Sequence, residues 1–268
     1  MNVARLLEGH DPDSIALISR NEQTTYGQLL DKIARLRGGL AAHGVQAGDR
    51  VAIACGNNRY FVKSYFAIVG MGAIAVPVNP ASPGAELQRQ LAEVGASAII
   101  VGPNAASSWK AVDVARLEDL RLVIRAETTP ADGELALSEV GDADPLDVVD
   151  VSDDTIAALL FTSGTAGLPR AAMLTHGNLT ANIEQQMSGG EHAEADDVVY
   201  GVLPLFHIFG LNVMLTMTLS AGATLVLVQR FDPATAVQSI VQRGDEMVIG
   251  TSRGDLVARR VIACAGLQ

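Results

Sequence analysis

The feature that most constrains this chain is the alternation of short apolar runs with helices that carry a single apolar stripe. Runs such as Val51–Cys55, Ala73–Val78 and Ala98–Val101 hold almost no polar residues, so each reads as a strand covered on both faces. Between such runs the apolar residues fall at helical spacing. Leu29, Leu30, Ile33, Leu36 and Leu40 form one stripe that stops near Gly44, with Thr25 and Gln28 as a capping box ahead of it. Strands and stripes in alternation predict an α/β chain with a mostly parallel, doubly wound sheet flanked by helices. Further helices are expected over Arg59–Val69, Gly84–Val94, Ala106–Leu117, His176–Met187, from Phe209 to Ser220, and over Pro233–Gln242. Further strands are expected at Ala16–Ser19, Leu120–Ile124, Thr155–Phe161, Val198–Val202 and Ala223–Val228.

The alternation is interrupted between Ala126 and Asp154. Pro130, Gly133, Gly141 and Pro145 sit there among many acids, which predicts a surface connection between two layers of the fold. The chain as a whole carries a formal net charge of −11, so a polyanionic partner such as nucleic acid is disfavoured. A nucleotide is not, because backbone N–H groups and one placed cation hold phosphates locally. Cys55 and Cys264 lie far apart and read as buried small hydrophobes rather than a disulfide. Neither a signal peptide nor a membrane span is expected; the most apolar stretch, Val213–Val228, holds Ser220, Gly222 and threonines, which leaves the cytoplasm as the expected location.

One segment carries chemistry. The run Ala157–Phe161 reads as a buried strand, and it feeds Thr162, Ser163, Gly164, Thr165, Ala166, Gly167, Leu168, Pro169 and Arg170. Two glycines let backbone approach a ligand, three hydroxyls offer neutral donors, and Arg170 offers a planar cation that spans two phosphate oxygens. Two residues separate the glycines and Pro169 precedes the cation, so this is not the spacing of the common NTPase loop. On residue chemistry alone the segment is either a phosphate clamp or an ordinary Gly/Ser/Thr turn.

The whole string from Phe161 to Arg170, followed by Met173, Leu174, Thr175, His176, Gly177, Asn178 and Leu179, resembles the phosphate-binding signature of the adenylate-forming superfamily of acyl-CoA synthetases, peptide-synthetase adenylation domains and luciferases. Thr24–Leu29, Ala47–Ala52 and Gly72–Pro80 resemble further segments of that family. Leu203–Gly210 is similar to the stretch typical of its fatty-acyl and aryl ligases, which disfavours an amino-acid substrate. Three positions depart from the family pattern: Arg170 stands where Lys is usual, Ala171 where Gly is, and Ala166 where many members have Thr.

The resemblance implies the amino-terminal part of an acyl-CoA synthetase-like large domain over residues 1–244. It implies an activity of the fatty-acid–CoA ligase type, in which ATP with Mg²⁺ converts a carboxylic acid to an acyl-adenylate and coenzyme A then takes the acyl group. Thr162, Ser163, Gly164, Thr165, Ala166, Gly167 and Arg170 would hold phosphates, and His207 would shape the carboxylate pocket as the catalytic candidate. No metal ligand is assigned. Without the resemblance a lone histidine beside Phe206 and Phe209 reads first as a packed, hydrogen-bonded core residue, and Phe209, Asn212, Val213 and Met217 line either an acyl channel or plain core. His176 and Asn178 read as helix-start residues. A fatty acid is the favoured substrate, and a homo-oligomer or a complementary second chain is the expected assembly.

Beyond Gly244 nothing resembles the family, and no lysine follows Lys110. Residues 245–268 are therefore expected to be a non-familial tail from a truncated or frameshifted frame, and the chain is expected to be incomplete. A non-catalytic remnant or nucleotide-binding module is the competing expectation. The 268-residue product is predicted not to catalyse ATP–pyrophosphate exchange with a panel of fatty acids, and robust exchange would overturn that.

Overall fold

The apolar runs become strands because their neighbours cover both faces. The computed structural model describes residues 1–20, 22–162, 170–189, 192–229, 240–243, 246–251, 254–258 and 261–263. In chain order the first strands and helices are β1 (Ile15–Ser19), β2 (Glu22–Thr25), α1 (Tyr26–Ala42), β3 (Arg50–Ala54), α2 (Arg59–Gly70), β4 (Ile74–Pro77) and α3 (Gly84–Glu93). Next come β5 (Ala98–Val101), α4 (Ala106–Lys110), β6 (Leu122–Arg125), β7 (Leu135–Ala136), α5 (Leu137–Val140), β8 (Ile156–Thr162), β9 (Arg170–Thr175) and α6 (His176–Ser188). The remainder are β10 (Val198–Gly201), a π-helix (Phe209–Thr216), α7 (Met217–Ser220), β11 (Thr224–Leu227), β12 (Ile240–Arg243), β13 (Glu246–Thr251), β14 (Gly254–Ala258) and β15 (Val261–Ala263).

The chain divides into two compact units. The first takes Met1–Arg5, Asp31–Gly56 and Tyr60–Asn182, and the second takes Leu6–Leu30, Asn57–Arg59 and Ile183–Gln268.

The first unit is built on a seven-stranded sheet in the order β7-β6-β5-β3-β4-β8-β9. Every pairing is parallel except β8 with β9. Val51 is the hub of the register, opposite Ala75 on one side and Ala98 on the other. Ala52, Val76 and Ile99 are fully buried and pack with Leu87 and Leu91 of α3 and Trp109 of α4. At about 25 cal/mol per Å² of apolar surface removed from water, such a layer supplies the main favourable term for the unit. Cys55 is buried here, and desolvation pushes its thiol pKa up to about 12, so it behaves as the expected small hydrophobe. Cys264 lies outside the described residues.

Helix boundaries follow local chemistry. Thr25 and Gln28 form the expected capping box, Thr25 N–H donating to Gln28 Oε1 at 3.2 Å and Gln28 N–H to Thr25 Oγ1 at 3.3 Å. α1 ends at Gly44, whose φ of +83° suits glycine, and Val45 N–H closes back on Leu40 O at 3.0 Å.

Three expectations are corrected. The helix expected over Ala106–Leu117 stops at Lys110, because Ala111 is pinned against α3 and Gln88 Oε1 takes the Asp113 N–H at 2.9 Å. The expected helix from Phe209 is a π-helix until Thr216 and α-helical only from Met217. Of Pro233–Gln242, residues 233–239 lie outside the described residues, whereas Ile240–Gln242 belong to β12 because they pair antiparallel with Met247–Ile249.

The acidic connection runs along the surface, as expected, and also packs. It belongs to the first unit and lies on α1, where Leu146 N–H donates to Ala34 O at 3.0 Å and Arg35 Nη1 donates to Ala143 O at 3.3 Å. The approach is possible only because α1 has Gly38 and Gly39 there. A Cβ on Gly39 would sit 1.7 Å from Val140 O, and one on Gly38 would sit 1.9 Å from Asp144 O.

The second unit has a five-stranded sheet, β15-β10-β11-β1-β2, parallel apart from β2, and a separate antiparallel sheet β12-β13-β14. Tyr26 anchors its core, its hydroxyl donating toward Leu219 O at 3.2 Å and Ala223 O at 2.8 Å, and burial pushes the phenol pKa up.

Gly39→Ala is expected to destabilise the chain. Alanine normally gains about 0.5–1 kcal/mol over glycine inside a helix. Here the backbone clash outweighs that gain, and a net loss of about 2–4 kcal/mol in urea unfolding is expected. A neutral or stabilising result would show that the connection does not lie on α1.

Candidate functional site

β8 is a buried strand whose side chains alternate, Ala158 and Leu160 buried, Leu159 and Phe161 packed on the α3–α4 cluster. At its C-terminal end the chain reverses into β9, so the glycine-bearing segment closes a β-hairpin instead of leading straight into a helix as the sequence suggested. The end rung of that ladder pairs Thr162 with Arg170, two of the sequence-identified residues, and Thr162 Oγ1 donates to Arg170 O at 3.4 Å. Both side chains are exposed. Ser163, Gly164, Thr165, Ala166 and Gly167 lie outside the described residues. The Thr162–Arg170 rung lies at the carboxyl end of strand β8, the edge at which open α/β sheets receive ligands. Among the described residues no carboxylate pairs with Arg170, and its side chain is exposed.

β9 runs into α6, and Thr175 and Asn178 cap the helix reciprocally. Thr175 N–H donates to Asn178 Oδ1 and Asn178 N–H to Thr175 Oγ1, both at 3.1 Å. Asn178 is thus a helix-start residue, as its position suggested. His176 is more than that: it is fully buried, and its ring holds a bond of its own.

His207 belongs to the second unit, in the loop that follows β10. Its N–H donates to Pro204 O at 3.1 Å and its carbonyl accepts from Leu211 N–H at 2.8 Å, so the residue starts the π-helix. Its ring tilts against Phe206 at 4.8 Å between centroids and is exposed. The packed-core reading of this histidine is excluded by that exposure. Ile208 and Phe209, 45% and 55% exposed, give it an apolar flank. Phe209, Val213 and Met217 share the less buried face of the helix, whereas Asn212 is 2% exposed and turns inward. Gly210 is required, since a Cβ there would meet Pro204 O at 2.1 Å.

Asn57 escaped the sequence reading. Its side chain clamps the loop before His207, Nδ2 donating to Leu203 O at 2.8 Å and Oδ1 accepting from Leu205 N–H at 3.1 Å. Only the Asn57-Asn58 pair after an apolar strand hinted at such a role. Among the described residues no cluster of His, Cys, Asp or Glu could hold a metal ion, and no helix is long and apolar enough to cross a membrane.

A family model described as AMP-binding enzyme matches residues 7–250. A feruloyl-CoA synthase of Amycolatopsis sp is 34% identical over 268 residues, with 95% of this chain and 52% of the relative covered. The 4-coumarate–CoA ligase 3 of Arabidopsis thaliana is 33% identical over 240 residues, with 87% and 42% covered. The structure of ATP-bound MatB from Rhodopseudomonas palustris superposes with a TM-score of 0.77 at 27% identity, over 88% of this chain and 47% of that one. An anthranilate CoA ligase with bound anthranoyl-AMP reaches 0.83 at 22% identity, over 89% and 47%, which speaks to fold alone. The chain spans about half the length of the curated relatives it matches.

Asn57→Ala is predicted to strip two buried backbone groups of their partners. A cost of about 1–3 kcal/mol for each unsatisfied group is expected in chemical denaturation. Wild-type stability in this variant would mean that Asn57 does not hold the loop.

Proposed function

Because the chain belongs to the AMP-binding enzyme family, we propose that it forms the phosphate-holding part of an AMP-forming acid–CoA ligase. In that reaction a carboxylate attacks the α-phosphate of ATP, pyrophosphate leaves, and coenzyme A takes the acyl group. The single observation that supports the reading is the Thr162–Arg170 rung at the sheet's carboxyl edge, with the two-glycine segment closing the hairpin above it. Thr162, Ser163, Gly164, Thr165, Ala166, Gly167 and Arg170 are assigned to the leaving phosphates, whose charge the backbone amides and the guanidinium offset. Thr162 and Arg170, an exposed hydroxyl and an exposed cation that no described carboxylate pairs with, suit that polyanion. Mg²⁺ would screen the same phosphates, and none of the described residues is assigned to it.

His207 is assigned to the acid. An exposed imidazole flanked by Ile208 and Phe209 suits a carboxylate on an apolar body. The relatives named feruloyl-CoA synthase and 4-coumarate–CoA ligase favour an aromatic acid over the fatty acid that the sequence alone suggested.

Titration of the chain with pyrophosphate and with ATP in a calorimeter tests the phosphate assignment. Removing the charge-assisted bonds of Arg170 with Arg170→Ala is expected to weaken binding about 10- to 100-fold, whereas Arg170→Lys retains most of it. Equal affinity of wild type and Arg170→Ala would remove the guanidinium from the site. Binding of ferulate against palmitate, each with and without His207→Ala, separates the aromatic from the fatty assignment.

A further inference from the structure

His176 sits at the start of α6, directly after β9, and no part of its surface is open to solvent. Its backbone N–H is fixed by Thr155 O at 2.9 Å, at the foot of β8. Its ring Nδ1 accepts the N–H of Val3 at 3.1 Å, a residue separated by nearly the whole first unit in sequence. An Nδ1 that accepts leaves the ring's proton on Nε2, and Nε2 is buried without a protein partner.

The segment that His176 grips is itself built in. Asn2 is 1% exposed, and its Nδ2 donates to Val69 O and to Val149 O, each at 3.0 Å. Its Oδ1 accepts from Ala4 N–H at 3.0 Å. Arg5 Nη2 donates to Val148 O at 3.0 Å and pairs with Asp150 at 2.9 Å. The amino-terminal residues thus join the end of α2, the acidic connection and the base of the β8–β9 hairpin, where the His176 ring holds Val3 and the Asp153 carboxylate pairs with the Met1 ammonium.

We propose that His176 is a positioning residue: a buried, neutral imidazole that latches the amino-terminal segment to the base of the phosphate-loop hairpin and lets go when it takes up a proton. Protonation of Nδ1 would set one donor against another, so the ring can charge only after Val3 leaves. Burial first, and then the Met1 ammonium, pull its pKa down to about 4, while Asp153, held in contact with that ammonium, pulls the other way. The ordinary value is 6.5. A released ring therefore binds a proton between those two values while a latched ring does not. The latch is at full strength above the ordinary value and weakens as pH falls toward the depressed one.

The importance of the latch to the hairpin rests on the phosphate-holding assignment, but its test does not involve nucleotide, so either can fail alone. Amide hydrogen exchange of Val3 is measured on the 268-residue chain from pH 7 to 4.5, expressed as protection relative to the unfolded rate at each pH. From the two pKa values, protection is expected to fall by roughly 50-fold in the wild type over that range. His176→Asn, whose side-chain oxygen accepts without titrating, is expected to keep protection flat. His176→Leu is expected to lose it at every pH while strand β3 stays protected. Should His176→Leu fail to fold, Val3→Pro removes the donor instead, and the ring's NMR titration midpoint then rises toward 6.5. Wild-type protection that ignores pH, or a ring midpoint unchanged by Val3→Pro, overturns the proposal.

Discussion

The antiparallel pairing of β9 with β8 is the constraint on which the rest of the first unit's chemistry depends. β8 joins the parallel sheet through a single register pair, Ala75 with Ala158, whereas its ladder with β9 runs from Ile156–Thr175 to Thr162–Arg170. The hairpin is therefore held by its own ladder together with the packing of β8 against β4 and the α3–α4 cluster. That ladder makes the two ends of the glycine segment neighbours, and it fixes Thr162 and Arg170 side by side before any ligand arrives. For the proposed phosphate role, groups fixed in advance would cost no rearrangement on binding, which is the physical advantage of closing such a segment with a strand.

Much of this was legible in the sequence and some was not, for reasons that differ by element. The parallel strands were legible because β3, β4 and β5 are covered on both faces and so read as unbroken apolar runs. β9 was not: Arg170-Ala171-Ala172-Met173-Leu174-Thr175 has neither a period of two nor strong β-formers, and its strand geometry comes from its partner. The short α4 was set by contacts with α3, distant in sequence, which no local pattern carries. The glycine segment itself was recognisable from composition and motif, yet its setting in a hairpin was not.

Glycine placement records a second kind of information that sequence periodicity obscures. Gly38 and Gly39 interrupt the stripe of α1 and look like a weakness in a helix, with a propensity cost on each. They are instead the trough in which the carbonyls of Val140 and Asp144 lie. The acidic connection thereby keeps its charges in solvent while its backbone lies on the helix, so the surface connection that composition indicated also acts as part of the packing. Gly210 makes the same trade beneath Pro204, and that contact, together with the Asn57 clamp, sets the direction in which His207 points.

Net charge and local charge answer different questions in this chain. A formal charge of −11 sets a field that repels polyanions in general. A compact anion would answer to the few groups it touches, because salt screens charges beyond about 8–10 Å and so mutes the distant acids. The surplus of acids then works as a filter. It disfavours long anionic polymers, whose charges must cross the whole surface, and leaves a compact triphosphate to be judged by the few groups it touches. Arg170 suits that task better than its exposure suggests, because its planar fork spans two oxygens and gains direction as well as charge. On electrostatic grounds an acidic chain can therefore still suit a compact polyphosphate, even though its overall charge points the other way.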